Sequence, residues 1–248
     1  PRTLGFYKEK LSKFVVKVNY LEASRSQIEK YLNSIPANEY GLGNRHVLFR
    51  TIKTLCRWLG AEYGIQNPIE GMSAPILGKP ILPSLTSEQE NTLIEQADNI
   101  RDKAIIGLFT DSGLRLAELA DIQRKDIDWN NRIIKVNCKG QKQAYAVFGE
   151  VTEGYLKEWL EQYKGKGNIW GLNYWGIAQM LKRLEKKTGL PCNPHTFRRT
   201  FACLLRKAGV DTMTIKDLGR WESLEMVQRY TRSVTFHDSL KLYKAPLG

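Results

Sequence analysis

The stretch Asn193–Val210, NPHTFRRTFACLLRKAGV, decides how the rest of the chain is read. It carries one of three histidines, His195, and three positions later Arg198, with Arg199 beside it. Phe197, Phe201, Leu204 and Ala208 recur at helical spacing and predict the buried face of one helix. His195 and Arg198, at i and i+3, share a second face. A helix N-terminus is the positive end of the dipole, so cations crowded into its first turns are locally unfavourable. An anion seated against them would remove the conflict.

The bulk numbers agree with that reading. The chain has 248 residues, 42% of them hydrophobic, and a net charge of +12 with a pI near 9.5. The length allows one large or two small domains with a real core. The basic excess is spread over both halves, which favours a polyanionic partner, most often nucleic acid. Cys56, Cys138, Cys192 and Cys203 form no C-x-x-C pair and no metal-ligand spacing, and read as reduced thiols in a cytoplasmic protein. No run is apolar enough to span a membrane, and no signal peptide opens the chain. It begins at Pro1 without a methionine, which leaves room for a missing N-terminal extension. There is no phosphate-loop motif and no H-E-x-x-H, so neither ATP nor a catalytic metal is expected.

Working outward, residues 1–66 read as a small helical bundle. TLGFYKEKLSKFVVKV aligns Leu4, Tyr7, Leu11, Phe14 and Val15 on one face. SRSQIEKYLNSI offers Ser24 or Ser26 as a cap. NRHVLFRTIKTLCRWLGAEYG repeats apolar residues at Val47, Ile52, Leu55, Trp58 and Leu59, then stops at Gly64. Residues 67–84 hold prolines and glycines enough to forbid a regular element, and are expected to be a linker. Extended, about 15 residues span roughly 50 Å, enough to pass from one side of a duplex to the other. A second domain, 85–248, opens with a capping box at Thr86 or Ser87. It continues as helix, Ser-Gly break and helix in RDKAIIGLFTDSGLRLAELADI. A hairpin follows in RIIKVNCKGQKQAYAVF, then helices, including Asp211–Leu218 and Ser223–Thr231. The fold class expected is mainly α with a small β-sheet.

Six positions gather the chemistry: Arg115 after Ser-Gly-Leu, Lys139 in the hairpin turn, His195, Arg198, Trp221 and Tyr230. Singly, each has an ordinary explanation. Arg115 could pair with Glu118 on the surface, and Lys139 and Arg198 could be solvated. His195 could bond backbone, and Trp221 and Tyr230 could be packing residues.

Together, in this order, they resemble the tyrosine recombinase family of phage integrases and Xer-type strand-exchange enzymes. The resemblance rests on SGLRLAEL, CKGQK, HTFRRTFA and GRWESLEMVQRYTRS, and on spacings of 24 positions from Arg115 to Lys139, 26 from His195 to Trp221 and 9 from Trp221 to Tyr230. Residues 1–66 look like that family's helical core-binding domain, so the resemblance covers nearly the whole chain.

The resemblance implies a C-shaped clamp around double-stranded DNA. It implies a metal- and ATP-independent reaction through a 3′-phosphotyrosyl link to Tyr230, carried on a flexible C-terminal segment. Arg115 and Arg198 would grip the non-bridging oxygens bidentately. Lys139 would be the general acid, with Lys142 a weaker rival. His195 would exchange a proton with the tyrosine. Trp221 would donate its indole N–H to the phosphate. Glu118 and Asp121 would partner the arginines. Arg45, Arg50, Lys53, Arg57, Lys142 and Arg199 are the candidate DNA contacts.

Further implications are a protein monomeric in free solution that forms a synaptic tetramer on DNA. The tail with Phe236, Leu240 and Tyr243 would dock on a neighbouring subunit rather than on its own domain. Three features depart from the family pattern: tryptophan at 221 instead of the commoner histidine, Arg199 for a histidine, and Arg220 where many members have glycine. The last reads as a local loop change. The role expected is integration or excision of a mobile element. Alternatives are a catalytically silent DNA-binding protein of the same fold, a type IB topoisomerase-like relaxer, or a resolver of replicon dimers.

Overall fold

A computed structural model describes residues 2–36, 39–76, 81–138 and 143–244. The chain forms two compact units, Pro1–Pro80 and Ile81–Gly248. The first contains α1 (Arg2–Lys17), α2 (Arg25–Asn33) and α3 (Glu39–Tyr63). Ser24, not Ser26, caps α2: its hydroxyl accepts from the Gln27 N–H while the Gln27 side chain accepts from the Ser24 N–H. Phe14, Ile28, Leu32, Phe49, Ile52 and Cys56 form the core. Burial on α1 follows Leu11, Phe14 and Val18, one turn later than the sequence pattern suggests, and Leu4 and Val15 are exposed. On α3, Ile52 and Leu59 are buried as expected, Leu48, Phe49 and Cys56 join them, Val47 and Leu55 are half-buried, and Trp58 is exposed.

Among the described residues, the two ends of the segment expected to be a linker are docked, while Ile76, Ile81 and Leu82 are exposed. Ile69 is fully buried in the first core, with Met72 and Ala74 packed against it. Asn67 Oδ1 accepts from the Ile69 N–H, and His46 Nδ1 lies 3.1 Å from the Pro75 carbonyl. At the other end, Leu85 is buried in the second core and its N–H donates to Thr200 Oγ1 at 2.9 Å. The prolines do prevent a helix, but isolated aliphatic residues between them anchor both ends. The 50 Å reach therefore does not apply to residues 67–76 or 81–85.

The second unit contains α4 (Ser87–Glu95), α5 (Ile100–Ser112), α6 (Leu116–Ala120), β1 (Ile127–Asp128), β2 (Ile133–Asn137), β3 (Gln143–Val147), α7 (Glu150–Gln162), α8 (Tyr174–Thr188), α9 (Pro194–Lys207), α10 (Thr212–Leu218), α11 (Leu224–Tyr230) and α12 (Phe236–Leu240). Thr86 caps α4 through a box with Gln89. The strands form an antiparallel sheet in the order β1-β2-β3, with Asn137 opposite Gln143 at the hairpin end. β1 is too short to leave a period-2 pattern in the sequence.

Helices α5 and α9 cross at the centre, where the rings of Phe109 and Phe197 stack 5.5 Å apart. Burying Phe197 contributes about 2–3 kcal/mol, and its truncation to alanine would cost about 3–5 kcal/mol with the cavity included. The predicted stripe on α9 holds at Phe197 and Phe201 but fades at Leu204, and Ala208 is exposed at the C-cap. Because α5, α10 and α11 all pack on α9, its middle is buried on several sides, including Thr196, Arg198, Thr200, Ala202 and Cys203. Among the described residues, no helix is long and apolar enough to cross a membrane.

Candidate active site

Two tight backbone turns build the site. The first ends α5. Gly113 has φ +56, and a Cβ there would lie 2.9 Å from the Phe201 ring, so the turn needs glycine for both conformation and space. Arg115 follows as the N-cap of α6. Its N–H donates to Glu118 Oε2 at 2.9 Å and its Nη1 to Oε1 at 2.6 Å. The second turn follows α10. A Cβ on Gly219 would fall 1.8 Å from Trp221 Cζ3, so only glycine lets the indole fold back across the chain.

Arg198 ties the two turns together. Its Nη1 donates to the Gly113 carbonyl and its Nη2 to the Gly219 carbonyl. Its guanidinium lies over the Trp221 ring, 4.3 Å from the centroid, a cation–π contact. The Trp221 ring in turn sits 5.4 Å from that of Tyr230. Trp221 is buried, and its indole Nε1–H has no partner among the described residues. Arg115 and His195 are exposed and Tyr230 half-buried, so these three form a rim above a floor of Arg198, Trp221 and Glu118.

The electrostatics are those of a site short of anions. Burial pushes Arg198 down to about 10, reinforced by the charges of Arg115 and Arg220. Partial burial, then Arg199, Arg198 and Arg115, lowers His195 and keeps its imidazole neutral at neutral pH. Burial opposes the charge on Arg115, yet the hydrogen bond and charge of Glu118 hold it above its usual value. Burial likewise works against ionised Glu118, and the bonds from Arg115 overcome it. The first turn of α9 contains no acid. One carboxylate thus faces several guanidiniums.

The segment bearing Tyr230, expected to be flexible, is helical and packs against α9. Tyr230 ends α11, where Val227 is buried, and Thr231 after it is buried too. Buried Cys203 donates to the Tyr230 carbonyl at 3.3 Å, and its Sγ lies 3.1 Å from Ser233 Oγ, which contacts Ser84 Oγ at 3.2 Å. Cys203, Ser84 and Ser233 escaped the sequence reading because nothing in their spacing ties them to the tyrosine.

The remaining candidates divide. Lys139 and Lys142 lie outside the described residues. Cys138, next to Lys139, is within electrostatic reach of Glu118, Arg220 and Arg115. Asp121 is exposed at the end of α6, away from the role of arginine partner given to it. Arg199 is engaged locally, donating to the Pro83 carbonyl at 3.1 Å and to Thr196 Oγ1 at 3.0 Å. In the first unit, Arg45 donates to the Ile35 and Asn33 carbonyls at the end of α2. Arg50, Lys53 and Arg57 line a groove of about 640 Å³ with His46 and residues 71–74. Arg50 and Arg57 are exposed, and Lys53 reaches the Met72 carbonyl at 3.4 Å. The tail contacts its own unit through a Lys207–Asp238 pair at 3.5 Å, while Phe236, Leu240 and Tyr243 remain exposed.

Comparison with known proteins places this arrangement. The profile of the phage integrase family matches residues 83–236. The tyrosine recombinase XerC of Staphylococcus epidermidis is 31% identical over 260 residues, covering 92% of this chain and 86% of the relative. The tyrosine recombinase XerA of Saccharolobus solfataricus is 29% identical over 184 residues, covering 74% of this chain but only 61% of the relative. The crystal structure of a lambda integrase tetramer bound to a Holliday junction superposes with a TM-score of 0.75 at 18% identity, covering 90% of this chain and 72% of that one. The chain belongs to the phage integrase family of tyrosine recombinases, enzymes that cut and rejoin DNA.

Proposed function

We propose that this chain cleaves and rejoins DNA at specific sites through a 3′-phosphotyrosyl intermediate, in the integration or excision of a mobile element. The observation that carries the reading is the convergence of Arg198 and Trp221 beneath Arg115, His195 and Tyr230, with an indole N–H that has no partner among the described residues.

The Tyr230 oxygen attacks the scissile phosphorus as its proton passes to neutral His195. The bond from phosphorus to the 5′-oxygen breaks, and that oxygen takes a proton from Lys139. A guanidinium has five N–H donors, of which Arg198 commits two to carbonyls, leaving three for a phosphate oxygen. Arg115, exposed on one side, supplies the second guanidinium. Trp221 donates its free N–H to the charge that builds in the pentacoordinate state. The phosphotyrosyl bond conserves the energy of the bond broken, so attack by a 5′-hydroxyl reverses the step without ATP.

Partner DNA is held by the basic groove on α3, with Arg50, Lys53 and Arg57 against phosphates. The lambda integrase tetramer on a Holliday junction supports a DNA-bound tetramer here, formed from monomers free in solution in the cytoplasm. The exposed apolar residues of α12 suit docking on a neighbouring subunit.

The test is covalent capture. Purified protein is incubated with sheared DNA of its source without metal or nucleotide, quenched in SDS, and the adducts are sequenced, with Tyr230→Phe in parallel. Adducts at one site that require the tyrosine support the reading, and the captured sequence separates a mobile-element junction from a replicon-dimer site. Scattered adducts point to a topoisomerase-like relaxer. DNA binding without adducts points to a silent binder.

A further inference from the structure

Arg220 is a third arginine at the site, and its geometry is unusual. It has φ +56, in the left-handed region where a side chain is disfavoured. Its side chain is nonetheless only 5% exposed. A strained residue persists only where its surroundings compensate, and here the guanidinium does so. Nη2 donates to the Ser112 carbonyl at 3.0 Å, and Nη1 to the carbonyls of Leu218 at 2.8 Å and Tyr145 at 3.2 Å. Nη2 also lies 3.9 Å from Glu118 Oε2, on the carboxylate that holds Arg115.

These acceptors are neighbours of the groups that hold Arg198. Arg198 bonds the carbonyls of Gly113 and Gly219, and Arg220 bonds those of Ser112 and Leu218, one residue earlier in each turn. The bond to Tyr145 adds β3, one arm of the hairpin that carries Lys139. A single side chain therefore spans both turns and the hairpin.

We propose that Arg220 is a positioning residue for DNA cleavage. It locks the two turns by the carbonyls just before those that orient Arg198, shares Glu118 with Arg115, and registers β3 against the phosphate seat. It acts through Arg198 and Arg115 rather than on the scissile phosphate. The assignment rests on the recombinase reading only for its consequence in catalysis; the clamp itself can be tested without DNA.

Arg132 supplies a matched control. It is an arginine with φ +51, bonded to Glu150 and Glu153, away from the site. In ¹⁵N-labelled protein, the guanidinium N–H signals of Arg198 are assigned by Arg198→Lys and their hydrogen exchange is measured. Arg220→Gly, which relieves the backbone strain and removes the fork, should speed that exchange by about tenfold or more, and Arg132→Gly should leave it within about twofold. Arg220→Lys should behave like Arg220→Gly, because a point charge cannot bridge the two turns. It also serves as the readout if the glycine variant does not fold.

In single-turnover adduct formation on the captured DNA, Arg220→Gly should lose about 100-fold in rate with DNA affinity within about threefold of wild type. Unchanged Arg198 exchange in both variants overturns the proposal. So does faster exchange with an unaltered cleavage rate, or an equal loss in Arg132→Gly. Absence of adducts from the wild-type protein would refute the recombinase reading instead, and the exchange result would still judge the clamp.

Discussion

On α3 of the first unit, Arg50 and Arg57 stand exposed along a groove; in the second unit, Arg198 and Arg220 are sealed among backbone carbonyls. The two sets have the same chemistry and opposite situations. An exposed cation keeps its hydration and its rotamer freedom, so it tolerates replacement and meets phosphate in any register. A buried guanidinium has lost its water, and its bonds to protein carbonyls hold it in place. Its orientation is then fixed before substrate arrives, which electrostatic stabilisation of a transition state requires. Removing a residue of the second set should change rate, and removing one of the first should change affinity.

The largest expected effect tests the rate side at the nucleophile. Tyr230→Phe should lower adduct formation by about 10⁴-fold or more while leaving filter-binding affinity within about threefold, because only the attacking oxygen is lost. A substantial residual adduct yield would move the nucleophile elsewhere. Arg198→Lys comes next. Lysine keeps a charge but cannot bond both the Gly113 and Gly219 carbonyls, so the cleavage rate should fall by about 100- to 1,000-fold. If DNA affinity falls as far as the rate, the distinction between the two sets fails.

Much of this architecture was legible beforehand because it depends on local chemistry. The capping boxes at Ser24 and Thr86 set helix starts within a few residues. The Ser-Gly break before Arg115 is a left-handed turn, and the hairpin strands alternate as their pattern predicts. Motif order singles out Arg115, His195, Arg198, Trp221 and Tyr230, and the fold brings them near one another. What was not legible depends on long-range geometry. Ile69 and Leu85 are single aliphatic residues among prolines, and no periodicity shows that each enters a different core. Arg220 reads as a loop substitution until its φ and its three carbonyl acceptors are seen. The order around Tyr230 comes from Cys203, Ser233 and Ser84, which lie far apart in the chain.

Glu90 extends the contrast to an acid. It is buried on α4, one oxygen lacks a partner among the described residues, and burial followed by the nearby charge of Asp111 pushes its carboxyl up to about 7. Its folded value lies above its unfolded one, so the stability it contributes is full below the unfolded pKa and is lost as pH rises through about 7. Glu90→Gln should therefore raise the melting stability of the second unit at pH 8 by about 2–3 kcal/mol and change it little near pH 4.5. A gain of equal size at both pH values would mean better packing rather than removal of a buried charge.

The affinity side gives smaller effects. Arg50→Ala and Arg57→Ala should each weaken DNA binding across all sequences and reduce the slope of log K against log salt by about 1, with cleavage at saturating protein unchanged. Arg45 sits on the same helix and sharpens the comparison because its guanidinium is already committed to the Ile35 and Asn33 carbonyls. Those carbonyls lie at the negative end of α2, where a cation is favourable. Arg45→Ala should speed amide exchange in α2, reflecting about 1–2 kcal/mol of lost stability, and leave the salt slope within error. A slope reduced by a full unit would show that Arg45 leaves α2 to meet phosphate, and that being bonded in the free protein does not separate structural cations from DNA-binding ones in this unit.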